Sequence, residues 1–144
     1  MINDGFNLKG KVEVRLNDEV VREIDNLVVT TGKGFVAASM LKTTSNSPAA
    51  MTHMAIGSNT TNPAAGDTAL GTELGRVALT SAAVSGAVVT YVATFAAGTG
   101  TGAVVEAGIL NASSGGTLLC HTEFDVVNKG SADAITITWT VTVS

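Results

Sequence analysis

Ile135-Thr136-Ile137-Thr138-Trp139-Thr140-Val141-Thr142-Val143 alternates apolar and polar residues without a break. A period of two puts Ile135, Ile137, Trp139, Val141 and Val143 on one face of a strand and the four threonines on the other. A helix would scatter both sets around its axis. The apolar face reads as core, and the threonines as an outer ladder whose branched Cβ atoms suit a pleated surface.

The same period appears at the other end of the chain. Lys11-Val12-Glu13-Val14-Arg15-Leu16 alternates, Asn17-Asp18 reads as a turn, and Val20 to Val29 reads as the second strand of a hairpin. Thr30-Thr31-Gly32 breaks that strand. Lys33 to Lys42 predicts the single helix: a threonine can cap it, and Ala37, Ala38, Met40 and Leu41 are good helix formers. Lys42 suits the negative end of the dipole, and packing is expected through Phe35, Val36 and Met40. Further strands are read at Met51–Ile56, Leu74–Ala83, Ala87–Phe95, Ala103–Leu110 and Thr117–Val126. Leu74–Ala83 and Ala87–Phe95 are apolar on both alternating sets, as expected of strands covered on both faces or lying in an assembly interface. Ser85-Gly86 reads as the turn between them, and Gly98-Thr99-Gly100-Thr101-Gly102 as a flexible hairpin turn.

About eight strands with one short helix near residues 33–42 predict an all-β fold, an antiparallel jelly roll or β-sandwich. An immunoglobulin-like sandwich is the second choice. No linker interrupts the 144 residues, so one domain is expected over 1–144, with residues 1–8 as a candidate extended arm.

Charged residues make up 14% of the chain, well below the roughly 25% of an average soluble domain. They concentrate before residue 43, and between Val77 and Val105 there are none. The net charge is −4 and no basic patch stands out, which argues against nucleic acid as a partner. A lone cysteine, Cys120, forms no internal disulfide. The start lacks a basic segment leading into an apolar run, and no stretch is long and apolar enough to span a bilayer. Synthesis in a cytoplasm and no membrane partner are the expectations.

The search for chemistry returns structural readings. There is no G-x-S-x-G elbow, and the two histidines have no obvious nucleophile. His53, near Met51 and Met54, reads as structural or surface. His121 falls on the polar face of its strand with Glu123 and Asp125, opposite Leu118, Cys120, Thr122 and Phe124, and is expected in water. Cys120 and His121 point to opposite faces, which does not make a zinc site. The carboxylate pairs Asp18-Glu19, Glu23/Asp25 and Glu123/Asp125 read as solubilising rather than hydrolytic. The glycine run at 98–102 leads into a strand and has no lysine, unlike a phosphate loop. Trp139 belongs to the core. The expectation is no enzyme: no catalytic residues, no cofactor and no metal.

One stretch does resemble something known. Met54-Ala55-Ile56-Gly57-Ser58-Asn59-Thr60-Thr61-Asn62-Pro63-Ala64-Ala65-Gly66-Asp67-Thr68-Ala69-Leu70-Gly71-Thr72-Glu73-Leu74-Gly75-Arg76 resembles small virion proteins of tailed bacteriophages: an A-I-G strand, a Thr/Pro loop, then D-T-A-L-x-x-E. Glu106-Ala107-Gly108-Ile109-Leu110-Asn111, Gly115-Gly116-Thr117-Leu118-Leu119 and the final Thr-rich strand extend the likeness over residues 51–144. The resemblance implies a structural role: a jelly-roll decoration (cement) protein on the outer capsid surface, bound non-covalently to the major capsid protein. The alternative is a tail-fibre or receptor-binding module. A homodimer is favoured and a trimer is the other option. Candidate partner contacts are Met1, Ile2, Phe6 and Leu8 of the arm and Asn59, Thr60 and Pro63 of the loop. The arm is too short to fold alone and would order only on a partner, burying Ile2 and Phe6.

Overall fold

In the computed structural model, residues 5, 7–41 and 48–144 are described. The elements are β1 (Leu8–Leu16), β2 (Glu19–Val28), α1 (Thr30–Leu41), β3 (His53–Gly57), β4 (Glu73–Ala78), β5 (Ser81–Ser85), β6 (Val88–Phe95), β7 (Gly102–Leu110), β8 (Leu118–Lys129) and β9 (Ile135–Val143). The all-β class and the single helix are as read. Among the described residues nine strands form rather than about eight, because Leu74–Ala83 is not one strand: the chain turns at Leu79-Thr80, and β4 and β5 separate.

All neighbouring strands are antiparallel, in the order β4-β3-β7-β8-β2-β1-β9-β6-β5. The two edges, β4 and β5, are consecutive in sequence. Two residues cannot span nine flat strands spaced about 4.8 Å apart, so the sheet curls until its edges meet. Leu79 N–H donates to Thr52 O at 2.9 Å and Thr80 N–H to Val92 O at 2.7 Å, which ties the two edges together.

Curling folds one half of the sheet (β1, β9, β6, β5) over the other (β4, β3, β7, β8), with β2 bending between them. Its first part pairs β1, and its last residues pair β8 through Leu27↔His121 and Val28↔Cys120. The core fills the space between: Val12, Val14, Trp139, Ile137, Tyr91 and Phe95 from one half meet Met54, Ile56, Ile109, Cys120 and Phe124 from the other. β9 spans the range read from sequence, and all of Ile135, Ile137, Trp139 and Val141 are buried. The β1–β2 turn is Asn17-Asp18 as expected, with φ of 49° and 70°. Positive φ at both positions marks the primed turn that matches strand twist, and Asn and Asp tolerate it.

Three local expectations change. First, the strand ends before Thr30 as read, but α1 starts at Thr30 rather than Lys33, with Gly32 inside its first turn. Gly32 is buried against β8, where an added Cβ would lie 2.1 Å from Leu119 O. Only glycine lets the helix start approach so closely. Phe35 and Val36 pack on the core, but Met40 is 80% exposed and does not, and Lys42 lies outside the described residues. Second, the glycine run at 98–102 is no hairpin: it carries the chain from β6 in one half to β7 in the other, and Gly75 lies against Gly100 at backbone contact. Third, β8 runs on to Lys129, which is 2% exposed and donates to Ala96 O at 3.0 Å and Asp133 O at 2.7 Å. A buried ammonium is satisfied by carbonyls, and it ties two turns together.

Burial pushes the Cys120 thiol up to about 12. The thiolate is the reactive form, so thiol reagents at neutral pH should label Cys120 at the rate of global unfolding. Labelling of the native protein as fast as of the urea-unfolded chain would contradict this burial.

Candidate functional site: a clamped loop and an uncharged face

β3, β7 and β8 are buried along nearly continuous runs. One face meets the main core. The other is covered by the segment 58–72 and the start of α1, where Val29, Ala55, Leu70, Leu110 and Leu118 form a second cluster. Gly108 makes room for this cover, since a Cβ there would meet the Leu70 side chain at 2.6 Å. The strands covered on both faces are therefore β3, β7 and part of β8, not the 74–83 and 87–95 runs.

His121 sits under the cover. Strand parity does place it opposite Cys120, but that face is not in water: His121 is 3% exposed. Its Nδ1 lies 2.8 Å from Asp67 Oδ2 and its Nε2 lies 2.9 Å from Glu106 Oε1. Each ring nitrogen thus faces one carboxylate oxygen. Glu106 is 1% exposed and accepts three backbone N–H groups from the segment: Asn59 (2.9 Å), Gly71 (3.0 Å) and Thr72 (3.0 Å). Asp67 accepts Ala64 N–H at 2.8 Å. Glu106, His121 and Asp67 thus clamp the whole segment to the sheet.

This convergence of histidine and acids is the one arrangement here that could pass for a catalytic centre. Its geometry is that of a clamp. Both imidazole nitrogens are already bonded, so neither is free to take a substrate proton. The ring lies between the carboxylates, and among the described residues no group of three Asp, Glu, His or Cys side chains is placed to hold a metal ion. His53 is half-buried at the start of β3, its Nδ1 2.8 Å from Thr52 Oγ1, and takes no part.

Of the expected contact residues, Met1, Ile2 and Phe6 lie outside the described residues. Leu8 opens β1 and packs on the core edge. Asn59, Thr60 and Pro63 do share one loop, held rigidly from below. Thr60 is exposed, Pro63 is half-buried, and Asn59 helps build the loop by accepting Thr61 N–H at 3.1 Å. Glu106 and His121 were not identified as anchors from the sequence; the one trace was Glu106, the single charged residue in the otherwise apolar β7.

The Ala64 N–H bond, with His121 as a further partner, holds the Asp67 carboxyl below its ordinary value of 3.8. A depressed folded pKa stabilises above the unfolded value and loses that contribution as pH falls through the folded one. Loop protection should therefore be flat above the ordinary carboxylate range and decline below it. Asp67→Asn should flatten that acid decline, measured by hydrogen exchange of the Ala64 amide across pH.

The second surface is the outer face of β5, β6 and β9. Pairing aligns Val88, Thr90, Val92 and Thr94 with Thr142, Thr140, Thr138 and Thr136, and Ser85, Ala83 and Ser81 continue the rows onto β5. Thr94 and Thr136 hydroxyls meet at 3.0 Å. No charged residue interrupts these rows. Charge begins only on β1, where Lys9, Lys11, Glu13 and Arg15 oppose the β9 threonines. β5 is an edge strand exposed along its whole length, with Val84 at 72%.

A scan of protein-family models, a search of curated proteins and a search of solved structures each found no match. The functional reading therefore stands on the geometry and on the residues themselves. No helix among the described residues is long and apolar enough to cross a membrane.

Proposed function

We propose that this chain is a structural virion protein that decorates and stabilises a phage capsid by non-covalent binding to the major capsid protein. The observation that carries the reading is the uncharged Ser/Thr/Val face ending in the bare edge strand β5. Free-standing proteins blunt such edges with lysine, proline or a bulge, because unpaired N–H and C=O groups recruit other strands. β5 has no such protection, which suits a surface covered in an assembly. The clamped loop adds a preorganised contact, since a loop already ordered loses little entropy on docking. The resemblance of residues 54–76 to phage virion proteins points the same way. In this reading the chain acts without catalysis, cofactor or metal, sits on the outer capsid surface, and pairs with a second copy as a homodimer; many symmetric copies make each weak contact collectively strong.

Gold-labelled antibody on intact particles tests the location. Label over the whole head supports decoration, and label confined to the tail supports a tail-fibre module instead. Val84→Lys tests the surface. A lysine on the edge opposes strand pairing, while an exposed substitution should shift stability by no more than about 0.5 kcal/mol. Heads lacking the protein, when mixed with the variant, should retain far less of it than of the wild type and gain less heat resistance. Equal retention would sink this surface.

A further inference from the structure

A second gap in backbone pairing lies away from that face. After Leu27↔His121 and Val28↔Cys120, β2 and β8 part, so β2 pairs only β1 and β8 only β7. A groove of about 760 Å³ opens between them, lined by Val21, Ile24 and Phe124 and by Pro63 of the clamped loop. The strand edges facing it are not paired strand to strand. Asp25 O accepts Thr122 Oγ1 at 3.1 Å, and Val21 O accepts Arg22 Nη1 at 2.6 Å. Alternation along a ladder then turns the N–H and C=O of Glu23, between them, into the same gap. Across the groove, Asp125 O and Val126 O accept Arg22 Nε and Nη2 at 2.9 and 2.7 Å. Two side chains span the opening, Thr122 from β8 to Asp25 O and Arg22 from β2 to the Asp125 and Val126 carbonyls. At the closed end, the Asn26 amide nitrogen and oxygen are buried without hydrogen-bond partners among the described residues. Glu23, Asp25, Glu123 and Asp125 line the groove; its basic side chains are Arg22, committed to carbonyls, and His121, held between Asp67 and Glu106. Lys11 stands across from Asp25 on β1, outside the groove.

We propose that the β2–β8 groove accepts an extended, basic segment of a partner polypeptide as an inserted strand. Backbone groups on both walls would supply the ladder. Acidic side chains set the preference for lysine or arginine on the incoming strand, and apolar side chains take its alternate residues. Arg22 occupies the carbonyls until the strand displaces it. This site is independent of the β5 face, and either can fail without the other.

The probe is a short peptide of alternating lysine and valine, titrated into the full chain by calorimetry. Two controls accompany it: the same peptide with glutamate for lysine, and one with alternate valines replaced by proline, which cannot donate to a ladder. Only the Lys/Val peptide should bind. Glu123→Gln combined with Asp125→Asn should weaken it by about tenfold, as expected for loss of close charge pairs. Arg22→Ala should strengthen it, the opposite direction to a general loss of fold, with thermal melting as the check. Equal binding of the proline peptide would reduce the site to charge attraction and overturn strand insertion. Binding of the Glu/Val peptide, or no binding at millimolar peptide, would overturn it too. A shift from dimer to monomer in Arg22→Ala would assign the groove to a second copy of this chain instead.

Discussion

Glu106→Ala should lower unfolding free energy by several kcal/mol, because one acceptor is lost to several donors at about 1–3 kcal/mol each. Glu106 is 1% exposed, and four groups point at its oxygens: the Asn59, Gly71 and Thr72 amides and His121 Nε2. Alanine leaves three partly buried N–H donors and a 3%-exposed imidazole without their acceptor. Each orphaned donor costs about 1–3 kcal/mol if nothing replaces the bond, so water must enter or the segment must lift. Exchange of the Asn59, Gly71 and Thr72 amides should speed up far more than exchange of β9 amides. Glu106→Gln separates shape from charge: it keeps the volume, retains one acceptor oxygen, and turns an N–H₂ toward donors. It should fall between wild type and alanine. Urea unfolding of the three proteins together with amide exchange checks this. Uniform exchange across loop and core would mean that Glu106 does not act through the loop.

Trp139→Ala should cost about 3–5 kcal/mol by loss of buried apolar surface and the cavity left behind. Trp139 is fully buried at the centre of the sheet half formed by β1, β9 and β6, with Val12 and Tyr91 as its cross-strand partners. A protein of this kind has only about 5–15 kcal/mol in total, so the variant should lie near its folding limit at 37 °C. Trp139→Phe should be much milder for a specific reason. The indole Nε1–H has no acceptor among the described residues, and phenylalanine removes that unsatisfied donor along with part of the volume. Circular dichroism melting, which does not rely on tryptophan emission, compares the three. A phenylalanine variant as unstable as alanine would show that the indole N–H is bonded after all.

These two positions show what was legible in the chain and what was not. Trp139 could be placed from its neighbours alone, since perfect alternation over 135–143 fixes its face, and an apolar face must be covered. The β1–β2 hairpin was legible for the same reason, with Asn17-Asp18 supplying the positive φ that its turn needs. Glu106 and His121 were not legible. Alternation assigned His121 correctly to the face opposite Cys120. It could not say that a segment 54 residues away in sequence, carrying Asp67, would fold over that face. The 98–102 glycines were likewise read as a local turn, whereas their role is a crossing between sheet halves.

Local pattern determines which side of a strand a residue occupies, because the two-residue period is built into the backbone. The sequence thereby determined the all-β class, the core-facing residues of β1 and β9, and the uncharged stretch from Val77 to Val105. Only the tertiary structure decided what lies over each face. The two-residue passage from β4 to β5 forces the sheet to curl. Curling encloses the core between the two halves, leaves β5 bare, parts β2 from β8, and leaves the outer side of β3, β7 and β8 to the clamped loop. Those outcomes depend on contacts between residues far apart in the chain, which no local period encodes.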